Sequence, residues 1–64
     1  MKELYIIEIE FDETSIYFAE MTEAQANKMR RTLSSRNQKY SVKKIRNSPG
    51  FNSFEALMHD FEEL

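Results

Sequence analysis

Residues 4–21 read Leu4-Tyr5-Ile6-Ile7-Glu8-Ile9-Glu10-Phe11-Asp12-Glu13-Thr14-Ser15-Ile16-Tyr17-Phe18-Ala19-Glu20-Met21, two apolar runs around a polar centre. In the first run Tyr5, Ile7, Ile9 and Phe11 alternate with Leu4, Ile6, Glu8 and Glu10. That period of two, with its β-branched and aromatic bias, predicts a strand. Asp12 to Ser15 is turn-prone and Ile16 to Met21 is again β-favouring, so the runs are expected to pair as an antiparallel hairpin. With Glu13 and Thr14 at the tip, Phe11 faces Ile16 and Ile9 faces Phe18. Directly opposed residues share a face. This register therefore predicts an inner face of Tyr5, Ile7, Ile9, Phe11, Ile16 and Phe18, and an outer face of Leu4, Ile6, Glu8, Glu10, Tyr17, Ala19 and Met21.

Beyond the hairpin, Thr22-Glu23-Ala24-Gln25 matches a capping box, in which the Thr22 hydroxyl and the Gln25 side chain each satisfy a backbone N–H at a helix start. Ala26, Met29 and Leu33 form a narrow apolar stripe that carries the predicted helix to about Ser35. Lys39 to Arg46 places Tyr40, Val42 and Ile45 in a strand-like context. The step from Val42 to Ile45 breaks strict alternation and predicts either a bulge or an outward-facing Ile45. Ser48-Pro49-Gly50 is a turn, after which Asn52 or Ser53 caps a second helix with Phe54, Leu57, Met58, Phe61 and Leu64 on one side.

The element order is thus ββαβα. A right-handed crossover from the second strand through the first helix puts the third strand beside the first. The expected fold is α+β, a single small domain over residues 1–64, with a three-stranded antiparallel sheet of order 2-1-3 and both helices packed on one face. Its third-strand register sets Tyr40 opposite Phe11, Lys43 opposite Glu8 and Ile45 opposite Ile6.

The 64 residues include no cysteine and one histidine, His59, so neither disulfides nor a structural zinc supports the fold. A core of this size rarely supplies more than roughly 3 to 5 kcal/mol net, which raises the value of burying a further face in a dimer. The longest apolar run is too short for a membrane span, and the N-terminus lacks a signal peptide's apolar segment. A cytoplasmic protein is expected.

Charge is segregated. From Ala24 to Phe54 there is no acid, yet this window holds eight of the nine basic residues. Seven acids precede it and four follow it, within a formal net charge of −2. A basic block of this kind is the footprint of nucleic-acid binding, and Tyr40 among Lys39, Lys43 and Lys44 offers a stacking platform. Against that, Lys28 and Arg31 point away from the helix stripe while Arg30 and Arg36 flank it, so the helix carries no single basic stripe. The pI near 5.3 is also low for a domain that binds by counterion release.

Catalytic chemistry finds no support. His59 stands alone on a polar helix side, no Gly-rich phosphate loop exists, and pairs such as Glu8/Glu10 or Glu62/Glu63 read as surface charge. No metal-ligand spacing is present, and no cofactor or small-molecule substrate is expected. The first expectation is a non-catalytic protein-interaction module, an adaptor or inhibitor, possible as a homodimer, that uses the uncovered sheet face through Leu4, Ile6, Tyr17, Met21 and Ile45. The alternative is a nucleic-acid-binding regulator using Lys28, Arg31, Lys39, Lys43 and Lys44 of the basic segment 28–46.

Overall fold

A computed structural model describes residues 1–10 and 13–64. Strands β1 (Glu3–Glu10) and β2 (Thr14–Met21) are followed by helix α1 (Glu23–Ser35), strand β3 (Lys39–Lys44), a two-residue strand β4 (Asn52–Ser53) and helix α2 (Phe54–Glu62). The chain is α+β, but its sheet has four strands in the order β3-β1-β2-β4. β1 pairs antiparallel with both β2 and β3, whereas β4 runs parallel to β2. The expected three-stranded antiparallel sheet is therefore corrected to a mixed sheet of four. A two-residue strand has no period to detect, which is why residues 52–53 read only as a helix cap.

The hairpin register also differs from the expected one. Ile9 stands opposite Ser15, Ile7 opposite Tyr17, Tyr5 opposite Ala19 and Glu3 opposite Met21. Because side chains alternate with a period of two, this register inverts β2 relative to the expected pairing. Ala19 and Met21 are fully buried with Tyr5, Ile7 and Ile9, and Tyr17 packs against that cluster. Ile16 is 54% exposed. Met21 and Tyr17, expected on the outer face, thus belong to the inner one, while Ile16 and Phe18 move outward. The expected contacts of Phe11 lie outside the described residues.

The physical cause stands at the start of α1. Thr22 Oγ1 accepts from the Gln25 N–H at 3.1 Å and Gln25 Oε1 accepts from the Thr22 N–H at 2.9 Å, so the capping box is complete. Met21 then occupies the position before the cap and Ala26 the fourth helical position, the two places of a hydrophobic staple. Both have no exposed surface. With Met21 turned inward, alternation carries Ala19 and Tyr17 inward as well. The small Ala19 leaves room beside Tyr5, and the Tyr17 ring meets Phe61 edge-on at 5.5 Å between centroids.

The helices close the same core. Ala26, Met29 and Leu33 from α1 join Phe54, Leu57, Met58 and Phe61 from α2 in one cluster with the inner strand residues. Leu64 lies beyond α2 and is 54% exposed, so it is not part of that stripe. At the end of α1, Asn37 adopts a left-handed φ of 59°. Its N–H bonds to the Ser34 carbonyl and the Gln38 N–H to the Leu33 carbonyl, the paired bonds of a Schellman turn. Ser53 caps α2 by accepting from the Ala56 N–H at 3.1 Å.

β3 keeps the expected faces with a shifted register. Tyr40 is opposite Ile9, Ser41 opposite Glu8 and Lys43 opposite Ile6, so the anticipated Lys43–Glu8 pairing does not form. The shift is by two residues, which preserves facing. Pairing continues without a bulge, since the Ile45 N–H reaches the Leu4 carbonyl at 3.0 Å, and Ile45 faces outward.

The β2 register makes a direct forecast. Met21→Asp puts an unpaired carboxylate into the core and should abolish the cooperative thermal transition, whereas Ile16→Asp, an exposed change, should shift stability by about 0.5 kcal/mol or less. Circular dichroism melts of the two variants measure this. A register that sets Ile9 opposite Phe18 requires the opposite ranking.

Candidate functional site

The outer side of the sheet carries the most distinctive surface of the molecule. Reading across the registers, Lys43, Ile6 and Phe18 lie side by side on β3, β1 and β2. Phe51, just ahead of β4, continues the row and is 59% exposed. The adjacent row on one side is Ile45, Leu4 and Glu20; on the other it is Ser41, Glu8 and Ile16. Leu4, Ile6, Phe18 and Ile45 are half-buried among their neighbours. Every buried side chain of both helices lies in the cluster on the opposite side of the sheet. A shallow trough of about 360 Å³ runs between β2 and the segment ahead of α2, lined by residues 16–18 and 49–52. The result is an apolar centre with Lys39 and Lys43 on its β3 flank, and Glu8, Glu10 and Glu20 on β1 and β2.

Of the five residues singled out in the sequence for this face, Leu4, Ile6 and Ile45 are on it. Tyr17 and Met21 are not. The structure adds Ile16, Phe18 and Phe51, which sequence reasoning missed. The signal that locates Ile16 and Phe18 is present in the chain: the Thr22 capping box with Met21 immediately before it fixes which β2 residues turn inward. Nothing comparable marks Phe51, whose position follows from a two-residue strand.

The basic segment is divided among several tasks. Arg30 donates to the Val42 carbonyl and to Asn27 Oδ1, both at 2.7 Å. Arg36 donates to the Glu62 carbonyl at the end of α2, a favourable place for a cation. Lys44 Nζ lies 3.0 Å from Glu3 Oε2. The Glu3 carboxylate holds the Lys44 ammonium above its ordinary range, first as a hydrogen-bond acceptor and second by charge. With the folded-state pKa raised, the contribution of this pair is present at and below the free-lysine value of 10.5 and is lost as pH rises through the higher folded value. Both side chains are about half exposed, so the pair adds little to stability.

The other residues named for nucleic-acid binding are spread over two elements. Lys28 and Arg31 are exposed on α1, while Lys39 and Lys43 project from the outer sheet face, with Lys39 opposite Glu10. His59 is exposed and lies 3.3 Å from Glu63, one helical turn on. Among the described residues no three of His, Cys, Asp and Glu converge closely enough to hold a metal ion, and no helix is long and apolar enough to cross a membrane.

The contact of Arg30 has a structural meaning of its own. The bond from Ile45 to Leu4 fixes the alternation of β3: Ser41, Lys43 and Ile45 direct their backbone groups to β1, and Tyr40, Val42 and Lys44 direct theirs to the free edge. Arg30 therefore occupies a carbonyl on an open sheet edge that also carries Lys39, Lys43 and Lys44, the usual means of discouraging edge-to-edge pairing.

Comparison with protein-family models, curated proteins and solved structures finds no match for this chain. The functional reading accordingly rests on geometry and chemistry.

Two measurements check the edge. Amide hydrogen exchange should be slow at Ser41 and Lys43 and fast at Tyr40 and Lys44. Arg30→Ala, which leaves the Val42 carbonyl without its donor, should cost about 1 kcal/mol in a denaturant titration. Equal protection along β3 would contradict the assigned alternation.

Proposed function

We propose that this protein is a non-catalytic protein-interaction module, an adaptor or inhibitor, that acts through the outer face of its sheet. The observation that carries the reading is the row Ile6, Phe18 and Phe51 with Ile16 beside it, an apolar strip on the side of the sheet opposite both helices. A very small chain has little apolar material to spare. Here it completes an inner core of Tyr5, Ile7, Ala19 and Met21 and still leaves Ile16 and Phe51 more than half exposed. Apolar surface rimmed by charge on so small a protein is characteristic of a contact site. Glu8, Glu20, Lys39 and Lys43 around the strip supply the polar rim that sets orientation and discourages wrong partners.

Site-specific photo-cross-linking tests this. A photoreactive residue replacing Ile16 or Phe51 should give discrete protein adducts in the producing cells, and the same residue replacing Lys28 on the far side should not. The adducts should be lost on Ile6→Glu, with folding of that variant confirmed by circular dichroism. Equal labelling from all three positions, or no adduct from the sheet face, contradicts the reading.

A further inference from the structure

The charge pattern on this face specifies an occupant. Lys43 is opposite Ile6 on the β3 side of β1, and Glu20 is opposite Leu4 on the β2 side. The line joining them crosses β1 midway between Leu4 and Ile6. Sheet geometry makes their separation about 10 Å across the strands and about 7 Å along them. One positive and one negative group thus stand diagonally about an apolar centre.

That arrangement is self-complementary in the way a two-fold contact needs, where each surface meets its own copy and every contact occurs twice with the roles exchanged. From this we infer that the outer face binds a second copy of this chain. The two-fold axis lies in the plane of the interface and passes over β1 between Leu4 and Ile6. It brings Lys43 of each copy to Glu20 of the other and stacks Leu4 and Ile6 of the two copies together. The strands of the two sheets then cross steeply, as in orthogonal sheet packing. Edge-to-edge association through β3 is disfavoured by comparison, because it would place Lys39, Lys43 and Lys44 of two copies side by side and displace Arg30 from the Val42 carbonyl.

The inference rests on the proposal that the outer face is a contact surface, and it fails separately from it. Sedimentation equilibrium should show a wild-type dimer within the micromolar range. Lys43→Glu alone sets two carboxylates against each other at both contacts, and Glu20→Lys alone does the same with two ammonium groups. Each variant should therefore dimerise at least about tenfold more weakly. An equimolar mixture of the two should recover dimer, because a mixed pair sets opposite charges together at one contact and at the other, where each variant contributes its substituted residue. Both substitutions fall on exposed side chains, and circular dichroism verifies that the variants fold. A wild type monomeric at about 100 μM, or a mixture that associates no better than its components, overturns the two-fold contact. If such a monomer still forms Ile16 adducts with a different protein, the contact surface stands and self-association alone is excluded.

Discussion

The capping box at Thr22 constrains more of this molecule than any other local interaction. Two backbone-to-side-chain hydrogen bonds set the angle at which the chain enters α1, and that angle turns Met21 toward Ala26. From Met21 the strand's period of two leaves no freedom. Ala19 comes to lie beside Tyr5, Tyr17 comes to lie against Phe61, and Ile16 and Phe18 are delivered to the opposite face. The composition of the sheet's uncovered side is therefore a consequence of how a neighbouring helix begins.

A second constraint is that a 64-residue chain without cysteine has no disulfide to lean on. Among the described residues, stability depends on one cluster of thirteen buried apolar side chains contributed by three strands and both helices. The basic side chains support this arrangement at its margins. Arg30 closes a carbonyl on the β3 edge, Arg36 donates to the Glu62 carbonyl at the end of α2, and Lys44 pairs with Glu3 across β1 and β3. The segregation of charge along the sequence is in part a segregation between elements that touch.

Much of this is legible in the residues themselves. The alternation of Tyr5, Ile7 and Ile9, the Thr22–Gln25 box, the stripe of Ala26, Met29 and Leu33 and the spacing of Phe54, Leu57, Met58 and Phe61 each have one natural reading, and each is realised. The β2 strand has two. Ile16 and Phe18 are more apolar than Tyr17 and Ala19, so hydrophobicity favours burying the wrong pair, and only the junction with α1 reverses the choice. An inverted β2 brings Tyr17 and Met21 into the candidate surface in place of Ile16 and Phe18. The β3 register, displaced by two residues, keeps Ile45 and Lys43 on their expected face because an even shift preserves alternation. Asn37 at a left-handed turn, and β4, carry no periodic signal and are legible only in three dimensions.

The apolar strip and the diagonal of Lys43 and Glu20 both depend on β2 facing as it does. In an antiparallel pair the residues that do not exchange hydrogen bonds bring their α-carbons closest together. Here those pairs on β1 and β2 include Leu4 with Glu20, Ile6 with Phe18 and Glu8 with Ile16. Nuclear Overhauser spectra should therefore show strong α-proton to α-proton contacts within these three pairs. Such contacts between Glu8 and Ala19 or between Ile6 and Met21, the close pairs of the register that sets Ile9 opposite Phe18, would contradict the register and, with it, the surface built on it.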